Sequence, residues 1–299
     1  MNEPYSHYVL SGVQLDCESF DLGNGASLSR TYVHLMAHPI LAFKPAEKGK
    51  HSPGPWQNVL ARPGTTSVNL LAELAVPRNE TAPTLHHEWA SWITFLLRFM
   101  TDRIVTMTLI SPLDCRALAN GDTQATLIEP VPVRSGHSTI SAEMATWLKE
   151  HWYASFDLSK NDALAYAAAS IYHSHRTTED LGLVAVWAAF ERLFSTNAPE
   201  LKYRVCTNLA AFLEPAGEAR YVLFKRLAKL YDDRSNAAHG SPLKNPLAYK
   251  ESASLASRAI LRIIELNCVP DKDYLERELL APTTPRETLD TTHLDKPSL

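Results

Sequence analysis

One segment in the second half of the chain, Leu227 to Gly240, places Arg234 and His239 five residues apart. On a helical wheel Arg234 continues an apolar stripe of three leucines, Leu223, Leu227 and Leu230. A guanidinium in that place is either held by a structural ion pair or open to an anionic ligand, because its planar fork suits carboxylate and phosphate. His239 precedes Gly240, where helices commonly end, so it is either a capping residue or a proton-transfer group that works near neutral pH.

Other charged residues near this segment are candidates for supporting roles. Glu191 lies in a predicted neighbouring helix and is the expected counter-ion of Arg234, although a surface carboxylate is the competing interpretation. Three basic residues occur one or two turns before the arginine: Lys225, Arg226 and Lys229. They either guide a nucleic-acid strand by contacting its phosphates or form a solvated helix face.

An arginine and a histidine are sufficient for one class of reaction without a metal ion. RNA supplies its own nucleophile, the 2′-hydroxyl, so a protein needs only a proton acceptor or donor and a positive charge that stabilises the pentacoordinate phosphate. The histidine-rich sites elsewhere do not compete with this pair: neither His86-His87-Glu88 nor His173 with His175 has the spacing of a metal site. We expect neither a metal nor another cofactor.

The composition is that of an ordinary globular protein, with 299 residues, 45% apolar and 21% charged. The net charge of −4 argues against a protein that coats nucleic acid, although local basic patches are compatible with it. Four cysteines are scattered without any C-x-x-C pair, which argues against a disulfide framework or a zinc cluster. The chain has no leader-like start, and Arg98 interrupts its longest apolar stretch, so we expect a cytoplasmic protein that does not enter a membrane.

Proline usage divides the chain into two parts. Eleven of the nineteen prolines precede residue 138, and residues 138–240 contain only two. We therefore predict an α+β domain over residues 1–135, an all-α helical bundle over residues 138–268 and a flexible tail over residues 269–299. The boundary is expected between Glu129 and Ser141, where Pro130-Val131-Pro132 favours an extended connector.

Three segments of the second half resemble the HEPN superfamily, and in particular its Apea-like group. They are the predicted helices Leu183–Phe194 and Leu201–Leu213, followed by Lys229–Gly240, which contains Arg-Ser-Asn-Ala-Ala-His-Gly. The resemblance covers about residues 140–268. It implies a four- to six-helix HEPN-like bundle that forms a symmetric homodimer and often acts as a metal-independent endoribonuclease in toxin or antiphage defence systems.

The resemblance also implies residue roles. The family's catalytic arginine falls on Arg234 and its catalytic histidine on His239. Ser235 stands directly after the arginine, where active members often have Asn, Asp or His, and Asn236 follows; both are candidate supporting residues. The alternative is a non-catalytic HEPN protein that binds RNA or a nucleotide or acts as a dimeric scaffold. In either case the N-terminal domain could be a sensor of a phage or cellular trigger.

Overall fold

The computed structural model of the chain describes residues 5–36, 40–42, 47–50, 56–58, 67–101, 104–115, 117, 125–128, 136–195 and 200–280. The described residues form ten strands and eight α-helices in two compact units, Met1–Ser159 and Lys160–Leu299. An N-terminal sheet region is thus followed by a mostly helical region, which confirms the expected order of fold classes.

The first unit contains all ten strands: β1 (Tyr5–Ser11), β2 (Val13–Leu15), β3 (Ser19–Gly23), β4 (Ala26–Met36), β5 (Ile40–Ala42), β6 (Trp56–Asn58), β7 (Ser67–Pro77), β8 (Thr106–Ser111), β9 (Thr126–Leu127) and β10 (Ser138–Ile140). It also contains the helices α1 (Leu85–Met100) and α2 (Ala142–His151), and a short 3-10 helix, Phe156–Lys160, follows at the division.

The main sheet has six strands in the order β3-β4-β7-β1-β8-β9, and all neighbouring pairs are antiparallel. The register places Tyr8 opposite Leu74 and Leu74 opposite Leu28, and all three are fully buried on one face. The Tyr8 hydroxyl lies 2.7 Å from Nδ1 of His87, so α1 covers this face. Alternation of side chains along the strands therefore produces one continuous core beneath the helix.

A two-residue turn, Asn24-Gly25, joins β3 to β4. Asn24 and Gly25 have φ values of 52° and 78°, the positive values that a tight hairpin with right-handed strand twist requires. The strand before the turn is Ser19–Gly23, whereas Tyr8 belongs to β1, which pairs with β7 and β8 in the middle of the sheet.

The structure corrects the predicted domain boundary, because α2 belongs to the first unit and not to the helical bundle. The Trp152 indole, directly after α2, donates to the Leu22 carbonyl at 2.8 Å. The Trp152 carbonyl in turn accepts a hydrogen bond from the Trp92 indole at 3.0 Å. These buried contacts attach the helix to the sheet and α1. Most of the proline connector, residues 129–135, lies outside the described residues.

The second unit consists of six helices: α3 (Asp162–Ser174), α4 (Glu179–Phe194), α5 (Leu201–Leu213), α6 (Glu218–Ala238), α7 (Ala248–Leu266) and α8 (Lys272–Leu280). The central element is α4, which packs against α3, α5, α6 and α7. Its Trp187, Phe190 and Phe194 are buried in the core, and Phe194 packs against Phe212 of α5 with ring centroids 5.3 Å apart.

The predicted flexible tail is wrong for its first part. Residues 272–280 form α8, whose Leu275 is buried and whose Tyr274 ring contacts Phe212. The Arg220 guanidinium also donates to the Glu278 carbonyl at 3.1 Å, which ties α8 to α6. The remainder, residues 281–299, lies outside the described residues.

Candidate functional site

The candidate site is built on α6, whose C-terminal end has a defined geometry. Gly240 has a φ of 70° and donates to the Ala237 carbonyl at 3.1 Å, while Ser241 donates to the Asn236 carbonyl at 2.9 Å. These two bonds form a Schellman motif, which requires a left-handed residue directly after the helix. His239 is therefore held at the last position before the chain turns away.

Arg234 makes an ion pair with Glu191, the counter-ion expected for it, which is one of the two arrangements that the helical wheel left open. Its Nη2 lies 3.0 Å from Oε1 of Glu191 and 3.3 Å from Oε2, across the contact between α6 and α4. The arginine Cζ is also 5.4 Å from the centroid of the Tyr231 ring. The Arg234 side chain is 23% exposed, so the pair is only partly shielded from solvent.

Tyr231 completes this group, and the sequence analysis missed it. Its hydroxyl donates to Oε1 of Glu191 at 3.2 Å, and its ring packs edge-on against Trp187. Burial and then the negative charge of Glu191 raise the pKa of Tyr231, so the phenol stays protonated and can donate. An aromatic residue three positions before a helical arginine is the sequence signal that could have identified it.

One polar atom of Arg234 has no partner in the part of the chain that the structure describes. Its Nε is buried and lacks an acceptor, although Nη2 is bound to Glu191. A buried donor without an acceptor is costly. The guanidinium therefore has donor capacity that Glu191 does not use, and a ligand oxygen reaches Nε only if the groups that cover this atom move.

Helix geometry separates His239 from Arg234 within one chain. Five residues at 100° each place the two about 140° apart around the helix axis and about 7.5 Å apart along it. His239 is exposed, and its ring makes no hydrogen bond, ion pair or ring contact with another described residue. A catalytic pair formed by these residues would need a second copy of the helix.

The apolar stripe before Arg234 is not available for contact with a second copy of the helix. Leu227 and Leu230 are fully buried inside their own bundle, and Ala237 is 9% exposed. The stripe thus belongs to the interior of the bundle, where α6 packs against α4 and α5.

Ser235 and Asn236, the candidate supporting residues, contribute to the end of α6 through their backbones. The Ser235 and Asn236 carbonyls lie 3.3 Å and 3.1 Å from the amide nitrogen of His239. Asp233, which was not a candidate, is buried and accepts a hydrogen bond from the Lys244 amide at 3.2 Å. The residues around Arg234 thus fix both the helix end and the loop that follows it.

The three candidate RNA-binding residues have different surroundings. Arg226 is engaged, because its Nε lies 2.7 Å from Oε2 of Glu251 in α7. Lys225 and Lys229 are exposed one turn apart on the same side of α6. The Lys225 ammonium is 5.4 Å from the centroid of the Tyr221 ring, which precedes it by another turn. Two lysines and a tyrosine therefore form a basic and aromatic strip.

A cavity of about 710 Å³ opens beside this strip, between α5 and α6. Its lining comprises Glu200, Leu201, Lys202, Tyr203, Cys206, Phe224 and Ala228. The Tyr203 and Phe224 rings meet edge to face, with centroids 5.8 Å apart. Burial raises the pKa of the Cys206 thiol to about 12, so this cysteine is a packing residue and not a nucleophile.

The described residues contain no group of three or more His, Cys, Asp or Glu side chains that could bind a metal ion. No helix in the described ranges has both the length and the apolar composition needed to cross a bilayer.

Comparisons with known proteins add no relative. Neither the protein-family models, nor the curated proteins, nor the solved structures contained a match to this chain. The resemblance to the HEPN superfamily consequently stays a prediction from the sequence motif.

Proposed function

We propose that the helical unit is an HEPN-type, metal-independent endoribonuclease in which Arg234 binds the scissile phosphate and His239 transfers a proton. The 2′-oxygen of the substrate attacks phosphorus, the bond from phosphorus to the 5′-oxygen breaks, and the departing 5′-oxygen receives a proton. The products are a 2′,3′-cyclic phosphate and a 5′-hydroxyl. The observation that carries the proposal is the Arg234 guanidinium, which Glu191 and the Tyr231 ring orient while 23% of the side chain stays exposed to an incoming anion.

Arg234 suits the phosphate-binding role because its environment orients it before a ligand arrives. Glu191 and the Tyr231 ring fix the guanidinium, and its Nε still needs an acceptor. A positioned cation stabilises charge that develops on phosphoryl oxygens. His239 suits proton transfer because it is exposed and an imidazole can both accept and donate a proton.

In this proposal the active site is shared by two chains of a homodimer. The positions of Arg234 and His239 on opposite sides of α6 support this arrangement. A single RNA strand approaches along Tyr221, Lys225 and Lys229, where lysines meet phosphates and aromatic rings offer stacking surfaces. The N-terminal unit recognises a phage or cellular trigger.

A second candidate function is RNA or nucleotide binding without cleavage. The ion pair between Arg234 and Glu191 favours it, because that pair already occupies one nitrogen of the guanidinium. In this case the protein retains RNA through Lys225 and Lys229 and leaves it intact.

The test is incubation of the purified chain with total cellular RNA in EDTA. We expect cleavage that survives the chelator and falls by about 10²- to 10⁴-fold in His239→Ala, with a comparable loss in Arg234→Ala. The matched control for the arginine is Arg258→Ala, since Arg258 pairs with Glu214 at 2.8 Å in the same unit. The control for the histidine is the exposed His173→Ala.

Two outcomes would overturn the endoribonuclease proposal. Cleavage that requires Mg²⁺, or that persists when Arg234 and His239 are both replaced, excludes the assigned mechanism. RNA that is bound but never cut, with binding weakened in the Lys225→Ala, Lys229→Ala double variant, establishes the second candidate function instead.

A further inference from the structure

The N-terminal unit contains a second group of cationic and polar side chains, remote in sequence from Arg234. We call it the Arg78 cluster, and it comprises Ser6, Tyr8, Arg78, His86 and His87. Ser6 and Tyr8 come from β1, Arg78 directly follows β7, and the two histidines lie in the first turn of α1. Three chain segments thus bring one guanidinium and two imidazoles into one place.

Two hydrogen bonds hold the cluster together. The Arg78 Nε donates to the Ser6 hydroxyl at 2.8 Å, and Ser6 precedes Tyr8 by two positions on the same face of β1. The Tyr8 hydroxyl, whose pKa is raised by burial, is hydrogen-bonded to Nδ1 of His87 at 2.7 Å. His87 is exposed, and its Nε2 has no hydrogen-bond partner among the described residues. When protonated, this nitrogen is a donor that a ligand can reach.

His86 adds a second imidazole with unused hydrogen-bonding capacity. Its ring lies 4.1 Å from the His87 ring, centroid to centroid, and its Nδ1 is buried without a partner among the described residues. Burial lowers the pKa of His86, and the positive charges of His87 and Arg78 lower it further. An anion placed between these groups would reverse the charge contribution and favour protonation.

Acidic residues do not neutralise the Arg78 cluster within the described part of the chain. Neither Arg78 nor the two histidines make an ion pair there, and the charged groups acting on His86 are both cationic. The nearest acid on α1, Glu88, accepts a hydrogen bond from the Thr84 hydroxyl at 3.1 Å, and Glu80 is exposed after Arg78. The cluster therefore presents up to three positive charges to a ligand.

We infer that the Arg78 cluster is a binding site for a phosphate monoester or free phosphate, and that binding takes up a proton. The guanidinium offers several N–H donors in one plane, and each imidazole offers a single N–H. Together these groups can bind a tetrahedral oxyanion. A monoester carries between one and a half and two negative charges near pH 7, whereas a diester carries one. Two protonatable histidines beside an arginine match the more highly charged group. The site does not depend on Arg234 or His239.

The test is calorimetric titration of the full chain with four probes: orthophosphate, adenosine 5′-monophosphate, sulfate and a uridylyl-uridine dinucleotide without a terminal phosphate. We expect the first three to bind and the diester to bind at least tenfold more weakly. Sulfate keeps its charge between pH 8 and pH 6, so an increase in sulfate affinity as the pH falls reports protonation of the protein. We expect sulfate affinity to rise about tenfold over that interval.

Variants identify the residues responsible. Arg78→Ala and His86→Gln should each weaken orthophosphate binding by tenfold or more, because each removes a charged donor. The controls are Arg30→Ala and His34→Gln, which remove an arginine and an exposed histidine from the same unit. Circular dichroism verifies that each variant is folded. Equal affinity at pH 8 and pH 6, equal binding of the diester, or unchanged binding in the two cluster variants would overturn the inference.

Discussion

Each unit of the protein contains a carboxylate paired with a cationic or ionisable partner, and the two pairs differ in exposure. In the first unit Glu73 is 5% exposed in the middle of the sheet. Its Oε1 lies 2.6 Å from His7 and its Oε2 accepts from the Cys115 amide at 3.1 Å. In the second unit the Glu191 side chain is 20% exposed and shares its oxygens between Arg234 and Tyr231.

This difference separates a structural pair from one that a ligand can reach. Both oxygens of Glu73 are engaged by groups that are themselves largely buried, so solvent cannot replace either contact. Glu191 lies at the rim of the bundle, where another anion can compete with it for Arg234. We therefore expect Glu73 to contribute to stability and the Glu191 pair to contribute mainly to the orientation of Arg234.

The largest expected effect is that of Glu73→Ala. Removing this carboxylate leaves His7 and the Cys115 amide without their partner in the sheet, and we expect the free energy of unfolding to fall by about 3 kcal/mol. Urea denaturation followed by tryptophan fluorescence measures it, since five of the six tryptophans lie in the first unit. The control is Glu18→Ala, because the Glu18 side chain is 87% exposed. If the free energy of unfolding fell by less than about 1 kcal/mol, the buried Glu73 pair would stabilise the protein no more than the Glu191 pair is expected to do.

The same carboxylate should make stability depend on pH. Burial acts to raise the pKa of Glu73, but hydrogen bonds from His7 and Cys115 more than offset it, and the pKa lies below its ordinary value. Because the folded pKa is the lower one, the stabilisation is complete above the unfolded value of about 4.3 and disappears as the pH falls through the folded pKa. The stability gap between wild type and Glu73→Gln should accordingly narrow below about pH 4. A gap that stays constant from pH 6 to pH 3 contradicts this.

The smallest expected effect on stability is that of Glu191→Gln. The glutamine keeps an acceptor for Tyr231 and Arg234, and the pair is partly exposed, so we expect a loss below about 1 kcal/mol. Thermal unfolding measured by circular dichroism gives this value directly. If Glu191→Gln were as destabilising as Glu73→Ala, the Glu191 pair would be a structural element like its counterpart in the sheet.

The sequence predicted those parts of the site that follow from helix geometry. The wheel placed Arg234 on the side facing the bundle, and Glu191 in the neighbouring helix was identified as its partner. The same reasoning separated His239 from Arg234 by about 140°. Tyr231 escaped notice because its contact with Glu191 depends on how deeply two helices pack, which spacing along one helix does not reveal.

The domain boundary could not be predicted for a related reason. Prolines mark where the chain is irregular, whereas the boundary depends on which core a segment joins. Nothing local in α2 shows that Leu148 and the following Trp152 pack against the sheet, because both cores accept the same apolar residues. Glu73 was missed likewise, since its partner His7 lies 66 residues away in the sequence.

The most direct test of the proposed site is a mixing experiment with two inactive variants. Arg234→Ala and His239→Ala proteins are prepared separately, mixed, unfolded and refolded together, and assayed for RNA cleavage in EDTA, with each variant refolded alone as the control. If Arg234 of one chain acts with His239 of another, half of the dimers formed from equal amounts carry one site with both residues intact, and the mixture should recover roughly a quarter of the wild-type activity. A mixture as inactive as either variant alone, in a preparation shown by mass measurement to contain mixed dimers, would contradict the shared site.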